Sequence, residues 1–468
     1  MKQIHALRML LIVLLGSSAI PLRAQRITVN GTRFEVEGRQ IWLNGANTPW
    51  HRWNDFGTGN YDHAWWNSHM QTLNDNGINC IRVWISCNGG GIKINPDGTA
   101  TGVTATFFSD LDQFFASARS HRIYIFATLL SFDHTKNGNP NYQAFRACFT
   151  DNGRTGTLVE SYVVPFVNRY KENPYLFAID ACNEIEWDHE NAEAGSIAWE
   201  HLQYLVARMA VGVHENSPVL LTMGSAAVKW NSDRPGEGNK WKNSALQAQL
   251  NDPKAFLDFY SPHWYGWVVR WFGNPCVTSP AGYGIGDRPC IIGECPAKGM
   301  FNQDAQGKDN LVNPPTEMFE KAYQKGWQGI FPWTSNGVDN NGSIADFGAA
   351  TRAFRDNHAS LVDPSGTWIN STPDPSPGSF RLSCYPNPFN GRTTIRYQLK
   401  QSGSVRLQVC DLNGRLQRLL VQAEQSPGDF SRDWNGCDNQ GNPLPSGIYV
   451  CCLNLGEERL VSKVLMVQ

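Results

Sequence analysis

The chain has 468 residues, a formal net charge of −2 and a charged fraction of 18%. That balance excludes the basic footprint of a nucleic-acid partner. Past the first 24 residues, no stretch reaches the roughly 18 uninterrupted apolar residues that a membrane helix needs.

The chain opens as a secretory signal, residues 1–24. Lys2 and Arg8 form a basic start, Met9 to Ile20 an apolar core, and Leu22-Arg23-Ala24 a small-residue cleavage site. The next region, 25–370, alternates strand and helix patterns. Candidate strands are 41–45, 80–86, 123–130, 176–183, 219–223, 256–263, 290–294 and 329–333, several of them nearly continuous apolar runs, as in parallel sheets covered on both faces. The clearest helices between them are 65–76, 107–121, 157–172, 192–215 and 315–325. Eight alternations over this length predict an α/β fold, a (β/α)8 TIM barrel. A doubly wound open sheet is the alternative, but no GxGxxG or GxxxxGK[ST] loop follows an early strand, and no GxSxG elbow is present.

Residues 371–379, Ser-Thr-Pro-Asp-Pro-Ser-Pro-Gly-Ser, form a Pro-rich linker. The tail, 380–468, carries short strands at 393–399, 404–411, 417–421, 429–434, 447–453 and 459–467, separated by Asn413-Gly414, Asn435-Gly436 and Asn439-Gln440-Gly441. That predicts a small all-β immunoglobulin-like sandwich. Twelve cysteines in an exported chain allow disulfides, but odd numbers fall on each side of the linker. Cys182 and Cys295, beside the motifs below, read as small buried fillers. No CxxC pair or HExxH helix points to zinc, so no metal or cofactor is implied.

Catalytic groups of a parallel barrel sit where its strands end. The predicted strands deliver Arg82 from strand 2, His134 after strand 3, Asn183 and Glu184 from strand 4, His263 and Tyr265 after strand 6, Glu294 from strand 7 and Trp333 from strand 8. Trp50, His51 and Trp53 follow strand 1. Two carboxylates brought together from different strands suit acid/base and nucleophilic work on a glycosidic bond. Plain readings stand beside each residue: Arg82 as a buried ion-pair partner, Trp333 as core, Tyr265 and His263 as loop-closing groups. Trp264 and Trp267 fit cleft wall or core equally. With 17 Trp in the chain, some can stack on pyranose faces.

Over roughly residues 26–365 the sequence resembles the retaining (β/α)8 glycoside hydrolases, most closely family 5, the cellulase and mannanase family. The motifs are Asn183-Glu184, His263-Trp264-Tyr265, Gly293-Glu294, Ile81-Arg82-Val83-Trp84 and Phe331-Pro332-Trp333. The resemblance implies Glu184 as general acid/base and Glu294 as nucleophile, with Arg82 holding the Glu294 pKa down. It implies substrate contacts from Arg82, Asn183, His263, Tyr265 and Trp333, and the positions of His134 after strand 3 and Trp50 after strand 1 add those two as candidates. Asn183 would bind the sugar 2-hydroxyl, Tyr265 would orient Glu294, His263 would contact Glu184 or the sugar, and Trp333 would floor a subsite. One departure stands out. The family has Pro after its acid/base Glu, and here Ile185 follows, then Glu186, a rival for the strand 4 role. His134 caps a turn or touches substrate.

The tail has its own resemblance. Tyr385-Pro386-Asn387-Pro388-Phe389, Ser446-Gly447-Ile448-Tyr449 and a closing strand at 463–467 look like the C-terminal sorting domain of the type IX secretion system. That domain is similar to the sandwich of the flagellar hook-capping protein. It implies outer-membrane secretion machinery as a partner and a secreted or surface-attached protein. A monomer is expected. The expectation for the whole chain is a secreted endo-acting retaining β-glycanase acting on β-1,4-glucan or β-mannan. The alternatives are a catalytically inactive carbohydrate-binding or adhesion protein, and an exo-acting or transglycosylating enzyme of the same clan.

Overall fold

The structure is a computed structural model. It describes residues 26–235, 238–364, 380–385, 387, 389–399, 401–411, 414–456 and 458–467. The expected signal segment and the 371–379 linker lie outside these residues.

Eight parallel strands form the barrel: strand 1 (Leu43–Asn47), strand 2 (Cys80–Trp84), strand 3 (Tyr124–Ser131), strand 4 (Leu176–Asn183), strand 5 (Leu220–Ser225), strand 6 (Ser261–Pro262), strand 7 (Ile292–Pro296) and strand 8 (Gly329–Trp333). Neighbours follow chain order from strand 1 to strand 6, and strand 8 joins strand 1 to strand 7. Two single bridges, Tyr260 to Cys290 and His263 to Glu294, link strands 6 and 7 and close the ring. Strand 6 is far shorter than the expected 256–263. Its ladder with strand 5 is confined to Ser261 and Pro262, while Tyr260 and His263 on either side make only single bridges to strand 7.

Helices fall between the strands much as predicted. His63–Asp75 starts at Asp62, which accepts from the Trp65 amide. Phe107–His121 matches its expected span. The predicted 157–172 helix is instead two α-helical segments, Asn152–Leu158 and Val164–Tyr170, joined by a π-turn at Val159–Val163. Pro165 stands in the first turn of the second segment, and a proline cannot donate to the helical ladder. The helix expected at 192–215 begins only at Trp199. Helix Ile344–Asn357, which the periodicity did not flag, carries a capping box of Ser343 and Asp346.

The end of the barrel where the strands start is stoppered by aromatic rings. A small antiparallel sheet (Thr28–Asn30, Arg33–Val36, Arg39–Gln40) presents Phe34 there. Its ring meets Phe177 and Phe259 edge-on, each at 5.2 Å between centroids. Phe126 and Phe331 complete this cluster, and all five rings are fully buried.

The tail is an antiparallel sandwich. Phe380–Tyr385, Thr393–Leu399 and Gly428–Trp434 form one sheet. Gly403–Cys410, Leu416–Gln425, Gly447–Leu455 and Glu458–Met466 form the other. Ile395, Val405, Leu407, Trp434 and Leu453 fill the space between them. The Phe380–Tyr385 strand was not predicted. Cys182 and Cys295 are fully buried, as fillers would be.

Candidate active site

The end of the barrel where the strands finish holds a cleft of about 400 Å³. Six indoles wall it: Trp50, Trp53, Trp84, Trp187, Trp267 and Trp333. Its polar groups are Asp133, Asn183, Glu184, Tyr265, Glu294 and Asp339.

Arg82 organises this end from below. It is fully buried in strand 2, so each N–H needs an acceptor. Nε and Nη2 donate to Asp180 Oδ2 at 3.0 and 2.6 Å. Nη2 also reaches Asn183 Oδ1 at 2.8 Å, and Nη1 reaches Asn47 Oδ1 at 3.2 Å and Glu294 Oε1 at 2.6 Å. Asp180 takes two further bonds, from Thr128 Oγ1 and the Gly224 amide. Gly224 has to be glycine: a Cβ there would lie 2.5 Å from Arg82 Nη2 and 2.9 Å from Asp180 Oδ2.

Glu184 and Glu294 face each other, with one oxygen of each within 4.8 Å of the other. Glu294 Oε1 holds Arg82, and its Oε2 accepts from the Tyr265 hydroxyl at 2.7 Å. Glu184 Oε2 accepts from Trp187 Nε1 at 2.9 Å, and its Oε1 is 2.7 Å from His263 Nδ1. That His263 nitrogen is also 3.6 Å from Glu294 Oε1. The same three side chains have the spacing of a cation site, but Arg82 already brings positive charge to these carboxylates.

The local backbone separates Glu184 from its rival. Strand 4 stops at Asn183, Glu184 adopts a left-handed φ of 49°, and a short helix starts at Glu186. Strand alternation therefore ends before it can put 184 and 186 on one face. Glu184 enters the cleft. Glu186 turns into the wall, where Ser225 Oγ, Trp241 Nε1 and the Ala226 amide donate to it. Ile185 has φ −59°, a value proline would hold, so the departure from the family pattern leaves the chain path intact.

Burial sets the titration of the site. It pushes Glu184 up to about 7, against the Trp187 hydrogen bond and the charge of Arg82. Burial also raises Glu294, opposed by Arg82 and the Tyr265 hydrogen bond. Arg82 thus acts downward on the Glu294 pKa, as expected, while burial is the larger effect. Burial takes His263 down to about 4, so its imidazole is neutral above that pH. Burial beside the carboxylates keeps Tyr265 protonated and a donor.

Of the expected contact residues, Asn183, Tyr265, Trp333 and Trp50 lie on the cleft lining. Three do not. Arg82 and His263 are fully buried beneath it and act through the carboxylates. His134 is also fully buried, 3.2 Å from Ser86 Oγ and bonded to the Ser131 backbone, because a capping box turns it inward. Its neighbour Asp133 faces the cleft instead. Trp264 is core and Trp267 is wall. Sequence reading missed Asp180, Trp187 and Asp133. Asp180 was the most findable, since an Asp inside an apolar strand needs a buried partner.

Residues 35–328 match the family described as cellulase (glycosyl hydrolase family 5), and residues 388–452 match the FlgD Ig-like domain. A mannan endo-1,4-β-mannosidase of Mytilus edulis is 26% identical over 346 residues, spanning 68% of this chain and 90% of that protein. One from Cryptopygus antarcticus is 24% identical over 362 residues, 70% and 88% respectively. The X-ray structure of the Mytilus edulis β-mannanase superposes with a TM-score of 0.62 at 22% identity, covering 73% of this chain and 99% of that one. That last likeness establishes the fold.

Proposed function

The chain belongs to glycosyl hydrolase family 5, and from that premise we propose that it is a secreted endo-β-1,4-mannanase working by double displacement. The observation that carries the mechanism is the facing pair Glu184 and Glu294, with oxygens within 4.8 Å. Retaining enzymes hold their carboxyls about 5–5.5 Å apart, while inverting ones leave room for a water. Mannan as substrate is supported by the two curated mannanases, most of whose length this chain spans.

Glu294 is the nucleophile. Its ion pair with Arg82 and the Tyr265 hydroxyl stabilise the carboxylate and aim it. Glu184 has no direct ion pair, and burial keeps it protonated up to about pH 7, so it donates to the leaving oxygen. Once the glycosyl-enzyme forms, Glu184 is a carboxylate and draws a proton from the attacking water. His263 Nδ1 steadies the same oxygen through that change. Asn183 accepts from Arg82 through Oδ1, which leaves its Nδ2 to donate to the sugar 2-hydroxyl. The indole walls stack on pyranose faces and exclude water.

Incubation with galactomannan, glucomannan and carboxymethylcellulose tests this reading. Mannans should lose viscosity early and gain reducing ends, with the first product keeping its β configuration by NMR. Mannan left intact would overturn the substrate, and an α product would overturn the mechanism. For the tail, the Ig-like match and the Tyr385–Phe389 motif support a sorting role. Deleting residues 380–468 should leave barrel activity intact but trap the protein inside the cell envelope. Normal export without them would end that role.

A further inference from the structure

An acid that protonates the leaving oxygen faces the leaving-group side of the cleft. Beside Glu184, that side is walled by Trp187 and Trp267, whose ring centroids are 6.1 Å apart. Trp267 lies on helix Gly266–Phe272. One turn further along the same helix face, a rise of about 6 Å, stands Trp271. That step compares with the length of one β-1,4-linked pyranose.

Trp271 is 68% exposed, the most exposed large hydrophobic residue among those described. Its setting is nevertheless built. The Arg270 guanidinium lies over the ring at 4.9 Å from its centroid. Arg270 is itself anchored by the backbone carbonyl of Asp304, in the hairpin that follows strand 7. The indole is therefore supported from one side and open to solvent on the rest of its surface.

We propose that Trp271 is a distal platform for the substrate chain, taking the face of a pyranose beyond the cleft on the leaving-group side and extending the line of Trp187 and Trp267. The inference rests on the mannan-hydrolase reading. Its occupant is the polymer itself, because Trp271 stands one helical turn beyond Trp267, which walls the cleft that polymer enters.

Trp271→Ala should raise KM for polymeric mannan about three- to tenfold, the effect of losing one aromatic contact, with kcat little changed. On an aryl β-mannobioside the variant should match wild type, because the aryl leaving group ends before Trp271. Trp271→Phe should recover part of the polymer KM. An unchanged polymer KM, or an equal loss on the aryl mannobioside, would overturn the platform. A wild-type protein that hydrolyses neither substrate would overturn the functional reading and this inference with it. A wild type active on both, with an unaffected Trp271→Ala, overturns this inference alone.

Discussion

The two ends of the barrel are built on opposite principles from the same strands. Where the strands start, Phe34, Phe126, Phe177, Phe259 and Phe331 pack ring against ring. Where they finish, Arg82, Asp180, Glu184 and Glu294 stand together, with every N–H of Arg82 committed. One end gains stability from burying apolar area. The other carries desolvated charge, which contributes little net stability and is kept for chemistry. Strand 4 shows both: Phe177 near its start plugs the barrel, and Asn183 at its end lines the cleft.

That contrast can be broken most sharply at the end where the strands finish. Glu294→Ala should lower kcat on mannan by on the order of 10⁴-fold or more, with the folded state retained in circular dichroism although the melting temperature falls, because Arg82 loses a buried partner. Glu184→Ala should cost about 10²–10⁴-fold on mannan and much less on an activated aryl mannobioside, whose leaving group needs no proton. Steady-state assays on both substrates check this, and a Glu294→Ala enzyme with substantial activity would sink the assignment. The end where the strands start should answer in the other currency. Phe177→Ala should cost about 3–5 kcal/mol of stability in denaturant titration, with KM of the surviving folded enzyme unchanged.

A finer test uses pH. If Glu184 is the acid, kcat/KM should fall as pH rises through about 7, and Glu184→Gln should abolish that limb. Glu186 gives the smallest effect. Burial raises it to about 7 as well. Its folded pKa lies above its unfolded one, so its contribution to stability is complete below about 4.5 and is lost as pH rises through 7. Glu186→Gln should flatten that decline in a melting series, leaving the activity limb in place. Loss of the activity limb in Glu186→Gln would return Glu186 to the strand 4 role.

The two ends also differed in how far they could be read from sequence. Carboxylates at the ends of strands 4 and 7 were legible because apolar runs fix where a strand stops and what arrives there. Arg82 was legible as a charge that an apolar strand cannot leave unpaired, although Asp180, its partner in strand 4, was overlooked. His134 stayed open between turn cap and substrate contact because loop direction depends on a capping box whose geometry adjacency does not reveal, and the turn cap is what forms. Glu186 stayed a rival because a left-handed residue at 184 cannot be read from Asn-Glu-Ile-Glu. The aromatic plug was missed for a different reason: Phe34 comes from a small sheet ahead of the barrel, and its partners are scattered over more than 200 residues of sequence.

Arg82 ties strand 2 to Asn47 of strand 1, Asp180 and Asn183 of strand 4, and Glu294 of strand 7. It acts as a hoop around half the staves, drawn from inside and sealed from solvent. Dissolved ions screen exposed charges over about 8 Å at physiological strength but barely reach buried ones. A neutral polymer meeting a hoop of this kind gives salt nothing to weaken, so hydrolysis should proceed at nearly the same rate in dilute buffer and in brine.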